Sequence, residues 1–154
     1  MTLLTEPARP AVRNSAVRAE SPVIIELLGE PKGKGRPRFT RAGTTYTPAA
    51  TRSEENALRI MAQKAMRGRA PLEGALQVTV RAYMAVPRSW SGVQQRRALS
   101  GARRPVSRPD ADNIVKMLDA LNRIVWRDDS QIVELTLSKI YSERPGTWIE
   151  VIPL

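Results

Sequence analysis

Apolar residues recur along this chain with two periods. Leu58, Met61, Ala62, Ala65 and Met66 return every three or four positions, the spacing of one face of an α-helix. Ser53 followed by Glu54 and Glu55 reads as the start of that helix, a capping residue with acids in the first turn. The pattern runs to about Arg67 and breaks at Pro71 to Gly74. A second helix is expected from Asp110 to about Asn122, with Ile114, Val115, Leu118 and Leu121 as its apolar face. The residues from Gly92 to Leu99 allow a short third one. Other stretches read as strands: Val23–Leu28 is a short apolar run bounded by Pro22 and Gly29, Leu76–Val86 begins with strict alternation, and Gln131–Tyr141 is rich in β-formers. Pro145-Gly146 predicts a turn, so that Thr147–Ile152 returns as the second arm of a terminal hairpin. The order is β-α-β-(α)-α-β-β. It predicts an α+β fold, a two-layer single domain with a mixed sheet and helices.

The 154 residues favour one domain. Residues 1–21 have no periodicity and contain Pro7 and Pro10; the expectation is a flexible basic N-terminal tail ahead of a folded domain at 22–154. The N-terminus lacks the basic and apolar regions of a signal peptide. No apolar run approaches the roughly 18–20 residues of a membrane span. A cytoplasmic protein with no membrane partner is expected.

Charge changes the picture most. The chain has 25 Lys and Arg against 15 acids, a net charge of +10, which points to a polyanionic partner, nucleic acid first. Residues 30–52 hold Lys32, Lys34, Arg36, Arg38, Arg41 and Arg52 against one Glu, and residues 88–108 hold Arg88, Arg96, Arg97, Arg103, Arg104 and Arg108 against none. Such runs are often solvated loops. Two of them in one chain, interleaved with glycines that let backbone amides approach phosphates, favour a nucleic-acid surface. Lys32, Lys34, Arg36, Arg38, Arg41, Arg103, Arg104 and Arg108 are the candidate DNA-binding residues. Neither run has a base-reading helix pattern, so contact with backbone and shape is expected.

The chain has neither Cys nor His. Disulfides, thiolate metal sites, Ser-His triads and histidine-bearing zinc sites are therefore excluded, and no phosphate-loop motif for a nucleotide is present. Catalysis has to run on carboxylates, Lys, Arg, hydroxyls or a metal ion. All five Asp lie between Asp110 and Asp129, behind 109 residues with a net charge of +13. In Pro109-Asp-Ala-Asp-Asn-Ile-Val-Lys116, a helix starting near Asp110 sets Asp112, Lys116 and Asp119 on one face. Asp110 and Asp112 can then converge off its N-terminus, and Asp128-Asp129 follows in a turn that can return a carboxylate to the same place. Oxygen donors of this kind suit Mg²⁺, which stabilises a phosphoryl transition state and activates water. Lys116 is placed to neutralise charge on a phosphate. Each piece also has a plain structural reading. Asp110 and Asp112 serve as a cap and a first-turn acid, Asp119 pairs with Lys116, and Asp128-Asp129-Ser130 is a polar turn.

The segment Arg108-Pro-Asp-Ala-Asp-Asn-Ile-Val-Lys-Met-Leu-Asp-Ala-Leu-Asn122, followed by Val125-Trp-Arg-Asp-Asp-Ser-Gln-Ile132, resembles the RusA family of Holliday-junction resolvases, common in phages and prophages. Lys34-Gly-Arg-Pro-Arg-Phe39 and Tyr46-Thr-Pro48 resemble the basic region of phage members, and the likeness spans about residues 23–152. It implies a small α+β homodimer that needs Mg²⁺, or Mn²⁺ in its place, and that cuts four-way DNA junctions with paired nicks in recombination and repair. It also implies that Asp110, Asp112 and Asp129 are catalytic metal ligands with Lys116 as base or charge partner, supported by Asn113, Asp119 and Asp128. A bacterial or phage-infected cytoplasm follows from the same likeness. Two alternatives stay open: a non-catalytic DNA-binding protein with a structural Asp cluster, and a broader branched-DNA nuclease.

Overall fold

The computed structural model describes residues 21–154; the expected tail lies outside the described residues except for Ser21. In chain order the elements are β1 (Val23–Leu28), the short strands β2 (Arg38–Phe39) and β3 (Thr45–Tyr46), α1 (Ala49–Met66), β4 (Leu76–Ala85), α2 (Gly92–Leu99) and α3 (Ala111–Lys116). A 3₁₀ turn, Met117–Leu121, continues α3, and a second, Asp129–Gln131, leads into β5 (Ile132–Ser142) and β6 (Gly146–Pro153).

Four strands form a mixed sheet in the order β1-β6-β4-β5, with β1–β6 and β6–β4 antiparallel and β4–β5 parallel. Strand β4 alternates most clearly: Leu76, Val78, Val80, Ala82 and Met84 are buried, while the residues between them are partly or fully exposed. These side chains share one sheet face with Val23 and Ile25 of β1 and with Ile149 and Val151 of β6. Leu58, Ala62 and Met66 of α1 join the same core, as do Ile114, Met117, Leu118 and Leu121. Trp126 is fully buried, and its indole N–H donates to the Asn122 side-chain oxygen at 2.6 Å. On the opposite face Arg81 stacks over Trp148, 4.8 Å from the ring centroid. The expected α+β, two-layer architecture with a mixed sheet is what forms.

Three local expectations are corrected. The first helix begins at Ala49 rather than Ser53, so Glu54 and Glu55 lie in its second turn. Pro48 presets the backbone angle at that end, and the Ala49-Ala50 pair favours helix, which together extend it backwards. The helix from Asp110 becomes 3₁₀ after Lys116 instead of staying α to Asn122. And β5 and β6 are not hydrogen-bonded to each other. The chain does reverse near Gly146, but β4 lies between them, parallel to β5 and antiparallel to β6. A strand as apolar as β4 needs a neighbour on each edge, because its backbone groups are cut off from water. Arg38–Phe39 and Thr45–Tyr46, where the sequence pattern predicts no strand, pair as a small hairpin.

Leu121 is fully buried where the acidic segment joins the core. Leu121→Ala is expected to lower unfolding free energy by about 2–5 kcal/mol, the range for such a cavity. Urea unfolding should show a lower midpoint at unchanged slope, and a loss below about 1 kcal/mol would contradict the packing described.

Candidate active site and nucleic-acid surface

The acidic segment is a short helix pressed on the core by one side. Ile114, Met117, Leu118 and Leu121 are buried at spacings of three and four, so Asp112, Lys116 and Asp119 are left on the solvent side. Asp110 occupies the N-cap position in an extended conformation, yet its carboxylate makes no capping hydrogen bond. The plain capping role is therefore not the one it performs. Asp112 accepts a hydrogen bond from Lys116 Nζ at 2.9 Å. That bond, together with the lysine's charge, holds the Asp112 carboxyl below the usual carboxylate range.

Asp119 is paired, but not with Lys116. Its partner is Lys34, 85 positions earlier, whose ammonium lies 3.0 Å from Asp119 and 3.4 Å from Glu55 of α1. Partial burial pulls the Lys34 pKa down. The hydrogen bond to Asp119 and the charges of Asp119 and Glu55 outweigh that pull and leave it raised. The backbone here is close-fitted as well. Lys34 N–H donates to the Asn113 carbonyl at 2.8 Å. A Cβ on Gly33 would lie 2.7 Å from Asn113 Cβ and 3.0 Å from Pro109 Cβ, so only glycine allows this approach. The basic loop is thus stapled to the start of α3. The sequence signals for this were the glycines on either side of Lys34; the partner could not be read from local spacing.

Asp128 caps the second 3₁₀ turn, accepting from the Ser130 backbone N–H and hydroxyl. The hydroxyl contact is the main reason its carboxyl is held low. Gln131 closes the box. Its amide oxygen accepts from the backbone of Arg127 and Asp128, and its nitrogen donates to the Leu72 and Gly74 carbonyls at 3.0 Å each. Gln131 was not singled out from the sequence, although D-x-x-Q is a capping signature. Asp129 follows the cap on the exposed side, and neither it nor Asp110 is ion-paired among the described residues. Among the described residues, no group of three or more acidic side chains stands ready to hold a metal ion by itself.

The basic residues divide by partner. Lys32 lies 3.4 Å from Glu54, and Lys34 is held as above. The Arg103 guanidinium stacks on Trp90 at 3.7 Å, and Trp90 meets Tyr141 edge-on at 5.4 Å. Lys139 donates to the Ser107 carbonyl and ties down the loop that leads to Asp110. Arg36, Arg38, Arg41, Arg104 and Arg108 have no ion pair among the described residues. No helix among the described residues is long and apolar enough to cross a membrane.

An α+β scaffold that presents an acid- and lysine-bearing helix start beside Arg-rich loops defines a nucleic-acid-processing class. Residues 29–152 match the family described as Endodeoxyribonuclease RusA, and the chain belongs to that family. Membership implies endodeoxyribonuclease activity. A Bacillus subtilis (strain 168) protein named "Uncharacterized protein YqaN" is 37% identical over 129 residues, covering 80% of this chain and 90% of its own length.

The Lys34 staple has a signature in pH. Its folded pKa is raised, so its contribution to stability is fully present below the unfolded value of about 10.4 and is lost as pH rises through the higher folded value. The melting temperature of the native chain should exceed that of Lys34→Met by a constant margin from about pH 8 to pH 10, and the margin should shrink above that. A margin unchanged up to about pH 12 would show that the ion pairs contribute nothing.

Proposed function

We propose that this protein is a magnesium-dependent endodeoxyribonuclease that resolves four-way DNA junctions by paired symmetric nicks, working as a homodimer in recombination and repair. The observation that carries the reading is the Pro109–Asp119 segment, an aspartate- and lysine-bearing helix start inside the span shared with the family. Asp110, Asp112 and Asp129 are the residues that would hold the ion. Their donor chemistry fits, since the chain has neither His nor Cys, and Mg²⁺ needs only one or two carboxylates and completes its shell with water and substrate phosphate oxygens, so a ready-made cluster of three is not required. When bound, such an ion stabilises charge on the phosphoryl group and lowers the pKa of an attacking water.

The chain's own groups do the rest. Lys116 keeps Asp112 ionised, and its half-exposed ammonium can meet a scissile phosphate. Asn113 and Lys34 hold the basic loop against the helix start through a backbone bond, so substrate binding and the acids share one rigid base. Arg36, Arg38, Arg41, Arg104 and Arg108 supply sequence-independent phosphate contacts. Two cuts related by symmetry call for two such sites, which a two-fold dimer provides.

A second reading is a branched-DNA-binding protein whose acids are structural. It is favoured by Asp112, Asp119 and Asp128 each already having a partner within the chain. One experiment separates the two. With a synthetic four-way junction and Mg²⁺, the native chain should nick symmetrically, and flaps, forks and linear duplex should be cut more slowly. Asp112→Asn should cut on the order of 10²–10³ more slowly, the scale for removing one electrostatic stabiliser, while it binds the junction as tightly or more tightly. Cleavage by that variant at the native rate would sink the mechanism. No cleavage by the native chain under any divalent metal would leave the binding reading.

A further inference from the structure

The β2–β3 hairpin has no role in the core, and its composition is unusual. It is closed by a four-residue turn in which Thr40 N–H donates to the Thr44 carbonyl at 2.8 Å, Gly43 N–H donates to the Thr40 carbonyl at 3.0 Å, and the Thr40 hydroxyl accepts from Thr44 N–H at 3.1 Å. Gly43 takes the positive φ that this turn requires. Phe39, the chain's one phenylalanine, sits on this ribbon 76% exposed, with Tyr46 at 45%. The ribbon makes no substantial packing contact with any other helix or strand. Two-residue strands do not stabilise themselves in water, and an exposed Phe forgoes roughly 1.5–3 kcal/mol of burial. The hairpin therefore contributes little to folding, which makes a ligand the better explanation of its side chains.

The surroundings select the ligand. No acid occurs between Pro31 and Ser53, while Arg36, Arg38 and Arg41 lie on or beside the ribbon. Two such hairpins from separate copies would repel each other, whereas a polyanion would be drawn in. Register places Arg38 and Tyr46 on one side of the ribbon and Phe39 on the other. Just before it, Lys34 is stapled to Asn113 and Asp119, so the ribbon projects from beside the acidic helix start rather than from a remote surface. An aromatic wedge flanked by cations is how proteins stack on unpaired bases or pry a base step apart.

We infer that the β2–β3 hairpin is a base-stacking wedge. Phe39 seats against bases left unstacked at a DNA branch point, and Arg38 and Arg41 hold the flanking phosphates. This rests on the junction reading above and adds a residue that distinguishes branched from linear DNA. The step is one of binding only, with no bond made or broken.

The test uses the full chain in EDTA, so that cleavage plays no part. A four-way junction and a linear duplex each carry 2-aminopurine, at the branch point or at the matching duplex position. The native chain should bind the junction and raise the fluorescence of the branch-point base. Phe39→Ala should abolish that rise and weaken junction binding about ten-fold, the scale of one lost base–aromatic stack, with linear-duplex binding unchanged. Phe39→Trp should restore both. A rise retained by Phe39→Ala at native affinity would overturn the wedge and leave the junction reading standing. A native chain with no preference for the junction would overturn the junction reading and the wedge with it. Sedimentation and vesicle binding test the other occupants. A Phe39→Ala variant that loses only self-association, or only binding to phosphatidylglycerol vesicles, would assign the hairpin to a second copy or to a lipid surface and overturn the proposal.

Discussion

A six-residue helix cannot hold itself in water, because nucleation costs more than so few hydrogen bonds return. That α3 and the 3₁₀ turn after it exist at all is due to Ile114, Met117, Leu118 and Leu121, which bury themselves in the shared core and fix the segment's rotation. The rest of the site follows from that rotation. With the apolar stripe turned inwards, Asp112, Lys116 and Asp119 must face outwards, and Asp119 is then in position to accept Lys34. The Lys34 contact in turn sets where the basic loop starts and how it leaves the surface. Packing, rather than attraction among the charged groups, is the primary cause of the arrangement, and the ion pairs refine it.

The electrostatics oppose each other in a useful way. A chain of net charge +10 attracts nucleic acid from any direction. Carboxylates at Asp110, Asp112 and Asp129 oppose that attraction at the place where chemistry is proposed. Lys116 softens that opposition through Asp112, and a divalent ion would remove it. Several of the basic side chains are engaged with the protein itself: Lys32 with Glu54, Lys34 with Asp119 and Glu55, Arg103 with Trp90. Ion pairs with Glu54, Glu55 and Asp119 offset part of the charge in the first basic run, whereas Arg36, Arg38, Arg41, Arg104 and Arg108 have no ion pair among the described residues.

How much of this was legible in the sequence depends on range. The alternation in Leu76–Ala85 and the threefold and fourfold spacing in Leu58–Met66 announced the sheet and α1, since each is a local response to one buried face. The helix at Gly92–Leu99 matched to the residue because a Ser91–Gln94 capping box starts it. The Asp pattern, too, is local and carried the family likeness. What failed was non-local or marginal. Nothing in Gln131–Tyr141 says that β4 will come between it and β6. Nothing near Asp119 points to Lys34. Strands of two residues leave no alternation to detect, so the hairpin at Arg38–Tyr46 was invisible. Asp110 and Asp112 stand at the start of α3 and Asp129 in the second 3₁₀ turn, so a shared role for them rests on the family likeness rather than on local spacing.

The strand order has a further consequence in time. Among the described residues, strand β1 hydrogen-bonds only to β6, with Val23 opposite Val151. Among the described strands, the earliest thus waits for the last before it has a partner, and β6 docks between β1 and β4 as the closing piece. Contacts so distant in sequence are slow to form. A ribosome-bound chain lacking its final residues would hold β4 against β5 but leave β1 as an open apolar edge, the kind of surface on which nascent chains aggregate. The acidic helix start shares its core with Ile149 and Val151 of β6, so the candidate site is completed only when that last strand docks.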